Sequence, residues 1–146
     1  MAIDTNVLAY AEGVNGASRR NAALDLIERL PPETTFVPVQ VMGELFHVLV
    51  RKVKWQPEKA RKSILDWRDA FGLIETSAAV LFAAAELSSH HDVGICDAVI
   101  LSAASAADCR VLLSEDMQAG FTWSGVTIVN PFAETKHPLL LDLLGA

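Results

Sequence analysis

The chain has few cysteines, no long apolar run and no excess of positive charge, and each shortage excludes a class of protein. Its 146 residues include only Cys96 and Cys109, too few for a disulfide framework. No apolar run approaches the roughly 18 residues that span a membrane, and the N-terminus does not resemble a secretory signal. We therefore expect a cytoplasmic protein without a membrane partner, whose cysteines are reduced, small core residues.

Positive charge is scarce as well. Twelve Lys and Arg face eighteen Asp and Glu, for a formal net charge of −6. This balance argues against a protein that coats nucleic acid by bulk attraction, because such binding needs many cations against phosphates. It leaves room for an enzyme that grips a phosphate through a metal. With 51% apolar residues and no linker, residues 1–146 are predicted to form one domain.

Hydrophobic periodicity alternates between strand and helix along the chain. Strands are predicted up to residue 3 and over 34–39, 73–76, 110–114 and 126–129, with helices over 6–13, 18–30, 40–54, 57–71, 78–89 and 95–104. The leucine-rich tail after Pro131 is expected to dock on the body or on a partner. This alternation predicts an α/β fold, a three-layer α/β/α sandwich around a mostly parallel five-stranded sheet.

Four acidic residues are predicted at one edge of that sheet. Asp4 follows the first strand and Asp116 follows the fourth, whereas Asp97 and Glu44 lie near the starts of helices. In a parallel sheet, the carboxyl ends of strands and the beginnings of the following helices share one edge. We therefore expect the four carboxylates to lie together.

Each acid alone has an ordinary explanation. Asp97 suits the positive end of a helix dipole, and Asp116 suits a turn. Glu44 is harder to dismiss, because it interrupts an apolar stripe and a buried lone carboxylate is costly. Four carboxylates on one edge repel each other unless a cation lies among them. Oxygen ligands without Cys or spaced His favour Mg²⁺ or Mn²⁺ over zinc.

Four segments resemble, in order, the signature regions of PIN domains, most closely the VapC-type toxins of type II toxin–antitoxin systems. They are Asp4-Thr5-Asn6-Val7-Leu8, the stretch 39–45, Cys96-Asp97-Ala98-Val99-Ile100 and the stretch 113–117. The resemblance implies a Mg²⁺- or Mn²⁺-dependent ribonuclease whose acidic quartet is Asp4, Glu44, Asp97 and Asp116. It implies that Thr5, Asn6 and Ser114 orient those acids. It also implies a homodimer and a cognate antitoxin whose C-terminal segment enters the acidic edge.

The resemblance runs from Asp4 to about Pro131, with one departure. Only three residues precede Asp4, where the family usually has a longer first strand. Either that strand is short, or the sequence begins later than the natural start.

The expected mechanism is endonucleolytic hydrolysis of RNA. We hypothesise that Asp4, Asp97 and Asp116 bind one or two divalent ions, with Glu44 completing the site directly or through water. A bound metal lowers the pKa of a water molecule, so in-line attack would leave a 5′-phosphate and a 3′-hydroxyl. For RNA binding, the sequence offers the basic residues Arg51, Lys52 and Lys54, although a solvated helix end explains them as well.

Other classes fit less well. A haloacid-dehalogenase-type phosphatase needs a second Asp two residues after the first, where this chain has Asn6. It also needs a lysine near its last motif, and residues 110–120 contain none, which excludes a phospho-receiver domain too. The remaining alternative is a catalytically silent PIN-like module for protein association.

Overall fold

A six-stranded sheet forms the centre of the protein in the computed structural model, which describes residues 1–145. The strand order is β3-β2-β1-β4-β6-β5, and every pairing except β5 with β6 is parallel. The strands are β1 (Ala2–Ile3), β2 (Phe36–Pro38), β3 (Gly72–Ile74), β4 (Val111–Leu113), β5 (Thr122–Trp123) and β6 (Val126–Val129).

Helices connect the parallel strands, as the alternating pattern predicts. They are α1 (Thr5–Ala11), α2 (Ala17–Arg29), α3 (Val39–Arg51), α4 (Pro57–Ala70), α5 (Ala78–His90), α6 (Ile95–Ala106) and α7 (Pro138–Leu144). Helix α1 packs against both α2 and α3, α3 also packs against α4, and α5 packs against α6. Helices α1 to α4 lie along the chain between β1 and β3, and α5 and α6 connect β3 to β4. The predicted α/β class with a mostly parallel sheet is confirmed.

The direction of the chain reverses between β1 and β4. From β1 the chain proceeds outward through β2 to β3, then returns to β4 on the other side of β1. Ala2 pairs with Leu112 and Ile3 with Leu113, and these side chains are almost wholly buried. The carboxyl ends of β1 and β4 therefore lie side by side at the switch point, where open α/β sheets bind their ligands.

The predicted number of five strands is too low by one. Thr122–Trp123 forms a short antiparallel edge strand that pairs with β6. Ser124 and Gly125 join the two strands with φ angles of 47° and 83°. A two-residue hairpin of type I′ needs positive φ at both positions, and the Ser-Gly pair is a sequence signal for a turn.

Other differences concern boundaries and single side chains. The second strand is shorter than 34–39, because Pro32–Thr34 form a 3₁₀ turn and Val39 already begins α3. Cys109 is buried as predicted, but Cys96 is exposed on the first turn of α6, so its assignment to the core is wrong. The leucine-rich tail docks as α7, in which Leu140 is buried. Within residues 1–145, no helix is long and apolar enough to cross a membrane.

Candidate functional site

Asp4 is placed at the end of β1 and begins α1. Its backbone N–H donates to the carbonyl of Leu113 at 3.0 Å, which continues the pairing of β1 with β4. Its side chain caps the helix, because Oδ1 accepts a hydrogen bond from the N–H of Thr5 at 2.7 Å. The residue is only 4% exposed. One carboxylate is thus buried at the switch point of the sheet.

Two neighbours donate to the other oxygen of this carboxylate. Ser114 Oγ donates to Asp4 Oδ2 at 2.7 Å, and Asn6 Nδ2 donates to the same oxygen at 3.1 Å. Ser114 Oγ also accepts from the N–H of Met117 at 3.1 Å. Ser114 follows β4, so this network ties the ends of the two central strands together around Asp4.

Burial dominates the electrostatics of Asp4. It raises the pKa of this carboxyl from 3.8 to about 6, although the hydrogen bonds from Ser114 and Thr5 lower it. The charges of Asp97 and Asp116 raise the pKa further. A carboxylate with three donors normally has a depressed pKa. Here burial and the two neighbouring carboxylates outweigh the donors, so the pKa is raised.

Glu44 and Asp97 lie on two helices that contact each other, α3 and α6. Burial raises the pKa of Glu44 from 4.5 to about 7, and the charges of Asp4 and Asp97 add to this. Its Oε2 is buried without a hydrogen-bond partner. Burial, followed by the charge of Asp116, likewise raises the pKa of Asp97. Glu44 and Asp97 are thus half-buried carboxylates, and the neighbouring acids repel the charged form of each.

Asp116 is exposed in the loop that follows β4. Its charge raises the pKa of both Asp4 and Asp97, so the structure brings all four predicted acids to one edge. The four carboxylates lie around the switch point of the sheet, but they do not all meet at one place. Among residues 1–145, no three His, Cys, Asp or Glu side chains are close enough together to hold a metal ion.

Glu115 has a different environment from the adjacent Asp116. Its N–H donates to Asn6 Oδ1 at 3.1 Å, and its carboxylate accepts from the hydroxyl of Tyr10 at 3.0 Å. The same carboxylate forms an ion pair with Arg19, whose guanidinium lies 5.1 Å from the centre of the Tyr10 ring. The sequence analysis missed this cluster, because nothing local to Glu115 indicates a partner 96 residues earlier.

A cleft of about 250 Å³ opens beside Asp97 and Asp116. Leu101 and Ile128 are among the apolar side chains that line it. The rings of His91 and Phe121 also line it, with their centres 5.6 Å apart and an edge-to-face angle of 65°. The sequence analysis missed the cleft as well, because its lining comes from segments that only tertiary packing brings together.

The predicted RNA-binding residues lie away from the acids. Arg51, Lys52 and Lys54 are exposed at the C-terminal end of α3. Arg51 is seven residues beyond Glu44, which corresponds to about 10 Å along the helix axis. That separation is compatible with a contact to a neighbouring phosphate, and the role of these residues stays a prediction.

The comparison with protein families gives one match. A sequence model of the PIN domain family matches residues 1–119, a span that contains all four acids. No curated protein is significantly similar to this chain.

Solved structures with a similar fold include several toxins and their complexes. VapC20 of Mycobacterium tuberculosis, described as a sarcin-ricin loop cleaving toxin, is 18% identical with a TM-score of 0.67, over 79% of this chain and 88% of its own. A toxin–antitoxin complex from Klebsiella pneumoniae is 19% identical with a TM-score of 0.66, over 90% and 97%. VapBC2 from Rickettsia felis, bound to a promoter DNA fragment, is 21% identical with a TM-score of 0.61, over 87% and 95%. At these identities the similarity shows the fold.

Proposed function

The chain belongs to the PIN domain family, and we propose that it is a divalent-metal-dependent endoribonuclease, the toxin of a cytoplasmic toxin–antitoxin pair. One observation supports this proposal above the others. Asp4, Glu44, Asp97 and Asp116 lie at the switch point of the sheet, and the pKa of the first three is raised. Such clusters of perturbed carboxyl groups are typical of catalytic sites.

The four side chains fit a hard divalent cation. They supply only oxygen donors, which Mg²⁺ and Mn²⁺ prefer. Glu44 Oε2 is a buried acceptor without a partner, and a cation would satisfy it. Since no three acids within residues 1–145 are close enough together to hold a metal ion, direct ligation by three or four of them would require side-chain movement, whereas Mg²⁺ is often held by one or two carboxylates and water.

If Asp4, Glu44, Asp97 and Asp116 held a divalent cation, the chemistry available at the site would be a water molecule of lowered pKa and neutralisation of negative charge on the scissile phosphate. The chain's own residues prepare the site for it. Ser114, Asn6 and the N–H of Thr5 fix both oxygens of Asp4, so this carboxylate needs little reorganisation. We propose Asn6 and Ser114 as positioning residues for Asp4 on this basis, whereas Thr5 contributes its backbone N–H, and its buried hydroxyl finds no hydrogen-bond partner within residues 1–145. Asp116 is the most exposed of the four acids.

Partners are proposed from the similar structures. Several of those are toxin–antitoxin complexes, so we propose that this chain also binds an antitoxin protein. An arginine of that partner would suit the clustered carboxylates, because bidentate guanidinium–carboxylate pairs are strong. We further propose a homodimer. The exposed side chains of Leu81 and Phe82 on α5, 46% and 72% accessible, support it.

The silent PIN-like module remains the alternative, and the products of an RNA digest distinguish the two. We expect the purified protein with Mg²⁺ or Mn²⁺ to cut RNA internally, leaving 5′-phosphate and 3′-hydroxyl ends, because the site provides no histidine pair for attack by a 2′-hydroxyl. Ligation-based mapping of the fragment ends checks this. Cyclic phosphate ends would contradict the proposed chemistry, and uncut RNA at every metal concentration would favour the silent module.

A further inference from the structure

The cleft beside Asp97 and Asp116 has no part in the chemistry described so far. It adjoins the acidic site directly, because both carboxylates belong to its rim. Its volume of about 250 Å³ is below the roughly 300–1,000 Å³ that are typical of sites for drug-sized ligands. It therefore suits one small ring system.

The lining favours a neutral, flat group over a phosphate. Leu101 and Ile128 contribute buried apolar surface, and Phe121 is a partly exposed aromatic ring. Asp92, Asp97 and Asp116 also line the cleft, and their carboxylates repel anions, so a phosphate in the cleft itself would be disfavoured. An uncharged aromatic ring is not repelled by these carboxylates, and it can stack on an aromatic side chain.

The covalent structure of RNA connects the acidic site, where the phosphate would react, with the cleft beside it. A scissile phosphate bound beside Asp97 and Asp116, which the proposed cation would allow, carries a ribose on each side, and each ribose carries a base. We propose that the cleft takes one base flanking the scissile phosphate, stacked on Phe121, with the side-chain amide of Gln118 at the rim as a partner for its polar edge. This inference rests on the proposed ribonuclease function and adds a substrate subsite to it.

The subsite restricts the class of substrate. A base within a duplex is stacked between its neighbours and paired on its Watson–Crick edge, so it cannot enter a cleft of this kind. The substrate is therefore RNA with an unpaired nucleotide at the cut, such as a loop, a bulge or a single strand.

The test is a thermodynamic cycle between the RNA base and Phe121. Single-stranded RNA is compared with the same RNA that lacks the base on either side of the cut, using the wild-type protein and the Phe121→Leu variant. We expect loss of the base that occupies the cleft to lower kcat/KM of the wild type about tenfold. The same loss should change kcat/KM of Phe121→Leu less than about threefold. Phe121→Tyr retains the ring and should behave as the wild type. Urea unfolding of each variant identifies any loss of fold.

The outcomes separate the two proposals. If base removal at both positions lowers kcat/KM equally in wild type and Phe121→Leu, the subsite is refuted and the nuclease stands. If fully paired RNA is cut as fast as single-stranded RNA, the subsite is refuted in the same way. If the wild type with Mg²⁺ or Mn²⁺ cuts no RNA at all, the proposed function fails, and this inference fails with it.

Discussion

Replacing Asp97 with asparagine is expected to lower the rate of RNA cleavage by at least about a hundredfold, since even residues behind a metal ligand contribute 10–100-fold. The substitution keeps the shape of the side chain but removes its charge. Half-burial and the charge of Asp116 raise the pKa of this carboxyl, which means that its ionised form is destabilised unless a cation is bound nearby. A cation at this edge needs that charge. Initial rates on one RNA at fixed Mg²⁺ measure the effect.

Two measurements separate lost chemistry from lost fold. Without cations, Asp97→Asn is expected to unfold in urea at the same concentration as the wild type or a higher one, because one repulsive charge is gone. Asp66→Asn is the matched control: it makes the same change on the surface of α4, where the carboxylate pairs with Lys62 at 3.7 Å. It should cleave as the wild type does. Undiminished cleavage by Asp97→Asn in a nuclease-free preparation would remove this residue from the site.

Without divalent cations, the protein is expected to be more stable at pH 5.5 than at pH 8, by on the order of 2 kcal/mol. The folded-state pKa values of Asp4 and Glu44, about 6 and about 7, lie above the ordinary values of 3.8 and 4.5. The folded protein therefore binds more protons than the unfolded chain across this window. The stabilisation is complete below the ordinary values and is lost as the pH rises through 6 and 7. The partial exposure of Glu44 reduces its share.

Mg²⁺ should reverse this trend, because a cation binds the deprotonated carboxylates and so stabilises the folded state more at pH 8 than at pH 5.5. Urea unfolding at both pH values, with EDTA and with Mg²⁺, measures all four free energies. In EDTA, Glu44→Gln should make the free energy of unfolding depend less on pH, since it removes one of the carboxyl groups with a raised pKa. A stability that increases from pH 5.5 to pH 8 in EDTA would contradict the electrostatic description of the site.

The parts of the fold that follow from local pattern were predictable from the sequence. Asp4 and Asp116 each follow an apolar strand, and the rule that parallel strands end at one edge brings them together. Glu44 stands out because it interrupts an apolar stripe on α3. These three placements and the mostly parallel sheet needed no knowledge of packing. The catalytic and metal-binding roles of the acids remain proposals.

The parts that depend on long-range packing were not predictable. Glu115 stands beside Asp116 in the sequence and has the same charge, yet it pairs with Arg19 and Tyr10. Which of two adjacent acids enters the site depends on the direction of each side chain in a loop. The cleft was not predictable for the same reason. The rings of His91 and Phe121 are far apart in the sequence, and tertiary packing brings them together.

The most direct test of the account is calorimetric titration of Mn²⁺ into the metal-free protein at pH 8, beside the Asp97→Asn variant. If the four carboxylates bind a divalent cation, the wild type should give saturable heat with a stoichiometry of one or two, and the variant should bind at least about tenfold more weakly. No saturable heat in the wild type, or equal binding in both proteins, would contradict the claim that this edge of the sheet is a metal site.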